Sequence, residues 1–111
     1  MGIQNWSENI ILVNLAEEPQ MGEELRTVIE IVRDRGGCDV VVDFADVDIV
    51  TSSSIAKMLK LRKVLKDAGH RLVLCGVKNA TRGIFMVTGL DGVFEFVDDK
   101  FIALASLQLV N

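Results

Sequence analysis

The sequence predicts an α/β protein: a mixed, mostly parallel central sheet with helices packed on it, in the order ββαβαβαβα. Three observations carry this reading. Short runs rich in β-branched residues alternate with longer segments whose apolar residues recur every three or four positions. Glycines stand where the first three helical patterns stop, at Gly36-Gly37, Gly69 and Gly89. The uninterrupted run Val40-Val41-Val42, leading into Asp43-Phe44, reads as a strand buried on both faces, as a parallel sheet requires. At 111 residues the chain has the length of one domain, expected to span residues 1–111.

The elements follow in order. Ile3 to Trp6 reads as a short edge strand, Ser7-Glu8-Asn9 as a turn and Ile10 to Leu15 as a stronger strand, which together make an N-terminal hairpin. Ala16 to Gln20 is a loop broken by Pro19. From Gly22 the period changes. Leu25, Val28, Ile29 and Val32 mark an amphipathic helix, with Glu23 and Glu24 in its first turn and Arg33 and Arg35 in its last, the favourable sense for the helix dipole. The central strand runs from Cys38 to Phe44. After a short loop, Ile55, Met58, Leu61, Leu65 and Ala68 share the face of a second helix, with Lys60, Lys63 and Asp67 on other faces. Arg71 to Gly76 is a strand. Asn79 is read as the N-cap of a third helix holding Ile84, Phe85, Val87 and Thr88. Val93 to Val97 is a short strand. Asp98 or Asp99 caps a last helix, in which Phe101, Leu104, Ala105 and Leu109 form a face. The apolar tail Phe101 to Val110 is read as core packing, with self-association as the other use.

Composition narrows the function. Half the residues are apolar and a quarter charged, which excludes disorder. No apolar run approaches the roughly 18 residues needed to cross a bilayer. The start MGIQNWSENI lacks a basic region followed by an apolar core, so neither a signal peptide nor direct membrane insertion is expected. Cys38 and Cys75 show no metal or redox spacing, which fits reduced thiols in a cytoplasmic protein. A net charge of −4 makes no general case for nucleic-acid binding. The charge is uneven, however. Ser54 to Arg82 carries eight bases against Asp67 alone, a net of +7, while the remaining residues carry four bases and fifteen acids, a net of −11. Solvated lysines on a helix face explain this blandly. A positive surface that steers an acidic or phosphorylated partner explains it functionally.

The feature with most chemistry is Thr51-Ser52-Ser53-Ser54, four hydroxyls where a strand gives way to a helix. Such residues start helices, because a side-chain oxygen accepts from an unpaired N–H of the first turn. Other candidates are weaker. His70 follows the helix-ending Gly69 and lies a helix length away from Ser53, so the two form no pair. The cysteines read as buried strand residues. Asp43, Asp46 and Asp48 lack the Gly and distal Glu of a calcium loop, and no glycine-rich loop follows a strand. No catalytic site, cofactor or metal is expected.

The arrangement resembles a known family. A strand ending in an acidic-hydrophobic loop, the hydroxyl cluster opening a helix, Gly69 with the strand Leu72-Val73-Leu74, and Thr88-Gly89-Leu90-Asp91 with Phe94 behind it are similar to the STAS domain, over about Ile10 to Val97. The resemblance implies a single STAS-like domain of the anti-sigma factor antagonist type. In those antagonists the second helix opens on Asp-Ser-Ser-Gly-Leu, which aligns with Thr51-Ser52-Ser53-Ser54-Ile55. It implies that Ser53 is the phosphoacceptor, with Ser52 as the alternative, that Thr51 caps the helix, and that Ser52, Ser54, Lys57 and Lys60 face a partner. That partner would be an anti-sigma factor serine kinase, which binds ATP itself and releases a sigma factor when the unphosphorylated module binds; a phosphatase acting on the phosphoserine would reset it. The chain would be a monomer or weak homodimer. Two signature positions depart, Thr51 for Asp and Ser54 for Gly, and Ala16-Glu17-Glu18-Pro19 replaces the common Gly-x-Leu-Asp. The alternative is a STAS subunit of a larger assembly, stressosome-like or transporter-associated, without phosphorylation.

Overall fold

The structure is a computed structural model that describes residues 2–109. Its elements are β1 (Ile3–Ser7), β2 (Ile10–Asn14), α1 (Gln20–Arg35), β3 (Asp39–Asp43), α2 (Ser52–Asp67), β4 (Leu72–Cys75), α3 (Asn79–Val87), β5 (Glu95–Val97) and α4 (Lys100–Leu109). The five strands lie in sequence order, β1-β2-β3-β4-β5. The first pair is antiparallel and the other three are parallel, so the sheet is mixed and mostly parallel as the alternation of elements predicts.

Sequential strand order decides where the helices go. Each right-handed crossover that steps in the same direction lands on the same face of the sheet. Accordingly Ile11 and Val13, Val40 and Val42, and Leu72 and Leu74 share one core with Leu25 and Val28 of α1, Met58 and Leu61 of α2 and Phe85 of α3. The alternate residues Ile10, Leu12, Val41, Val73 and Cys75 face the other way and pack with Ala103, Leu104 and Leu107 of α4, with Val97 at the edge. The Val40-Val41-Val42 stretch of β3 is therefore apolar on successive residues because both of its faces are covered.

Several boundaries and faces differ from the sequence reading. α1 starts at Gln20, with Pro19 at the N-cap, because proline's fixed φ suits entry into a helix. Glu24 is not a surface carboxylate at the dipole. It is buried, and it accepts from the Ala16 N–H at 2.8 Å and the Gly2 N–H at 3.3 Å, tying the start of the chain to the β2–α1 loop. Ala68 is an exposed C-cap and not part of the α2 core face. Asn79 is the first helical residue of α3; Lys78 holds the N-cap position without a side-chain cap bond. Val87 is exposed at the end of α3.

The face of α4 is rotated from the expected one. Ala103, Leu104 and Leu107 are buried, whereas Phe101 and Ala105 are exposed. KFIALASLQL is apolar nearly all round, so periodicity leaves its phase undetermined. The Asp99 carboxylate, accepting from the Ile102 N–H at 2.9 Å, starts the helix. Leu109's side chain and Val110, which the expected face and tail included, lie outside the described residues.

Candidate functional site

The hydroxyl cluster stands at the carboxyl end of β3, where a loop carries the chain from Asp43 over to α2. Val47 and Val50 anchor this loop by burial. Around them carboxylates and N–H groups tie it down. Asp43 Oδ1 accepts from Ala45 N–H at 3.0 Å, and Glu17 Oε1 accepts from Asp48 N–H at 3.2 Å. The Asp48 carbonyl accepts from the buried Thr81 hydroxyl at 3.4 Å, and its carboxylate takes Lys78 Nζ at 2.5 Å. The Lys78 hydrogen bond and charge hold the Asp48 carboxyl below its usual range. Gly76, at the neighbouring end of β4, sits at φ +65°, and a Cβ there would lie 2.8 Å from Asp43 Oδ1. Only glycine fits that position without displacing the loop.

Thr51 is the N-cap of α2 in extended conformation, and its Oγ1 accepts from Ser54 N–H at 3.2 Å. A second device lies behind it. One oxygen of Glu18, from the β2–α1 loop, accepts three hydrogen bonds: from the Thr51 hydroxyl at 2.7 Å, the Ser54 hydroxyl at 2.5 Å and the Thr51 N–H at 3.3 Å. Partial burial pushes the Glu18 carboxyl up, but the bonds from Ser54 and Thr51 and the charge of Lys57 outweigh it and hold it below its ordinary value. This carboxylate, 33 residues upstream of Thr51, supplies a negative group beside the cap.

The four hydroxyls therefore separate into two pairs. Thr51 and Ser54 are engaged by Glu18. Ser54 is 1% exposed, so it faces inward and offers nothing to a partner; the expectation that it lines a partner surface is corrected. Its inward-pointing hydroxyl finds an acceptor in the half-buried Glu18 carboxylate. Ser52 and Ser53 are exposed. Ser53 Oγ accepts from Lys57 Nζ at 3.1 Å, one turn along the helix, and Lys60 is exposed a turn further. The Glu18 carboxylate thus accepts from Thr51 and Ser54, whereas the group on Ser53 Oγ is a lysine that donates to it.

The remaining candidates fall elsewhere. His70, expected to be a loop residue without a role, places Nδ1 3.3 Å from Asp39 Oδ1. Cys75 is buried in β4, and burial, with Asp43 and Asp99 nearby, pushes its thiol up to about 12; burial also raises that of Cys38, which lies just before β3. Neither supplies a thiolate at neutral pH. Among the described residues no group of three or more His, Cys, Asp or Glu side chains is placed to hold a metal, and no helix is long and apolar enough to cross a membrane.

The residues that sequence reading missed are Glu17 and Glu18. Their adjacency to Pro19 was visible, but nothing local announces that this loop folds against a helix start more than thirty positions later.

Comparison with known proteins bears on this geometry. A family model for the STAS domain matches residues 10–101. BtrV of Bordetella bronchiseptica, named as a candidate anti-sigma factor antagonist, is 28% identical over 97 residues, covering 87% of this chain and 80% of its own length. Two solved structures share the fold. The Bacillus cell fate determinant SpoIIAA in its phosphorylated form superposes with a TM-score of 0.73 at 18% identity, covering 98% of this chain and 97% of its own. A chain from the molecular architecture of the stressosome superposes with a TM-score of 0.76 at 18% identity, covering 97% and 96%.

Proposed function

The chain belongs to the STAS domain family, and from that premise we propose that it is a regulatory binding module of the anti-sigma factor antagonist type, switched by phosphorylation of Ser53. The observation that carries this reading is the division of the hydroxyl cluster. Thr51 and Ser54 hold the fold through Glu18, while Ser53 stays exposed beside Lys57. A modification on Ser53 leaves the cap intact.

The physics of the switch follows. Ser54 N–H is already taken by Thr51, and Ile55 N–H by the Thr51 carbonyl at 3.0 Å. The earlier N–H groups of the first turn and the positive end of the helix dipole remain for a phosphate, which they stabilise by about 0.3–1 kcal/mol. The phosphate adds about −1.5 to −2 charges to a surface that must lose water against a partner. Asp46 and Asp48, in the adjoining loop, are exposed and increase the repulsion. The switch acts on binding and spares the fold. The partner is an anti-sigma factor with serine kinase activity that holds the ATP site, and a phosphatase restores the hydroxyl. The buried Ser54 removes the obstacle its side chain would otherwise put before an approaching kinase. The chain itself acts by binding and not as an enzyme.

The test pairs the purified chain with an anti-sigma factor serine kinase from the same genome. Ser53→Ala is expected to keep binding and lose phosphate incorporation, Ser52→Ala to keep both, and Ser53→Asp to bind more weakly. Equal affinity of Ser53→Ala and Ser53→Asp would sink the reading.

A further inference from the structure

Most bases of the positive segment have partners within the fold. Arg62 Nε donates to the Val93 carbonyl at 2.9 Å, and Lys63 pairs with Asp67 at 3.0 Å. Arg71 pairs with Glu95, Lys78 pairs with Asp48, and the Arg82 guanidinium lies 3.8 Å over the Phe96 ring. Lys60 and Lys66 have no such partner among the described residues, and neither does Arg33 of α1; of these, Lys60 and Arg33 face each other across α2 and α1.

These two meet in one place. A groove of about 260 Å³ between α1 and α2 is lined by Arg26, Ile29, Glu30 and Arg33 on one wall and Lys57 and Lys60 on the other. Four cations face a single carboxylate, Glu30, and Arg26 is shared with Glu23 at 2.8 Å outside the groove. Lining the seam between two packed helices with like charges works against their association. Folding therefore gives no reason for this arrangement. Nor is it the shape of a single-ion site. Arg26 and Arg33 stand two turns apart on α1, roughly 10 Å along the axis, the length of about three residues of extended chain. The buried Ile29 gives this ladder an apolar floor.

We propose that the α1–α2 groove binds an acidic, extended segment of a partner protein, with Arg33 and Lys60 as its main contacts. Carboxylates spaced along an extended chain meet the cations in turn, and Glu30 sets the register by repelling a carboxylate opposite it. The groove opens beside Ser53, because Lys57 belongs to both. The proposal does not need Ser53 to be phosphorylated.

Fluorescence anisotropy on the full chain with a short labelled oligoglutamate peptide tests it. Arg33→Glu/Lys60→Glu is expected to weaken binding at least ~10-fold, whereas Lys63→Glu/Lys66→Glu, the same charge change outside the groove, weakens it less than ~3-fold. Glu30→Gln, which removes the lone carboxylate, is expected to tighten binding. Equal losses in the two double variants would mean diffuse attraction and overturn the proposal. So would absence of oligoglutamate binding to the wild-type chain, no gain with Glu30→Gln, or equally tight binding of a single-stranded oligodeoxynucleotide of the same charge.

Discussion

Both ends of α2 carry charged and polar groups and treat them differently. At its carboxyl end Asp39 takes the Arg71 N–H at 2.8 Å and faces His70, Arg71 grips Glu95, and Arg62 caps the Val93 carbonyl. Each of these side chains has a neighbour. At the amino end Glu18 binds two hydroxyls tightly, while Ser52, Ser53 and the edge of the basic groove face solvent. The lesson is that charge content does not distinguish a structural cluster from a functional one. What distinguishes them is which groups are left over once the fold's own hydrogen bonds are made.

Substitutions at the two ends sharpen this contrast. The largest effect on stability is expected from Glu18→Ala, which removes three hydrogen bonds to one carboxylate, the short one from the buried Ser54 hydroxyl among them. A loss of about 2–3 kcal/mol follows, read as a lower urea midpoint. If the variant is as stable as wild type, Glu18 is not what holds the cap.

Acid sensitivity comes next. Because the folded Glu18 carboxyl lies below its ordinary 4.5, its contribution is fully present above about pH 4.5 and is lost as pH falls through the lower folded value. Glu18→Gln should flatten the stability profile below pH 4.5 and leave its neutral slope unchanged, as measured by urea melts across pH.

At the other end Arg71→Ala removes a pair whose side chains are more than one-third exposed. A loss of about 0.5–1 kcal/mol is expected, with no change in partner affinity. A loss of affinity matching that of Ser53→Asp would erase the distinction between the ends. The smallest effect on stability is expected from Lys57→Met, below about 0.5 kcal/mol. Its signature is chemical. With phosphoserine installed translationally at position 53, ³¹P titration should show the phosphate's second ionisation at higher pH in Lys57→Met, since a nearby ammonium favours the dianion. An unchanged midpoint would mean that Lys57 leaves Ser53 once phosphate is present.

What the sequence disclosed and withheld follows the range of the interactions. The run Val40-Val41-Val42 and the spacing of Leu25, Val28, Ile29 and Val32 are local signals, and they placed the strands and helices that the structure contains. Thr51 is a local signal as well. Ser54 was read as exposed because its acceptor belongs to another loop, 36 residues earlier. Glu24 was assigned to the helix dipole although its partners lie in the N-terminal segment and the β2–α1 loop. The phase of α4 was hidden by the opposite problem, an excess of apolar residues that fits several faces equally.

The division of the sheet into a face covered by three helices and a face covered by α4 alone has a consequence for synthesis. Each new strand pairs with the one made just before it, so the first face can be sealed progressively as the chain emerges. The second face cannot. Ile10, Leu12, Val41, Val73 and Cys75 await α4, so a nascent chain carries an uncovered apolar surface until α4 has left the ribosome. A chain stopped at Asp99 would keep that surface for good, and its partition into the insoluble fraction on expression is the measure of how much protection the last helix provides.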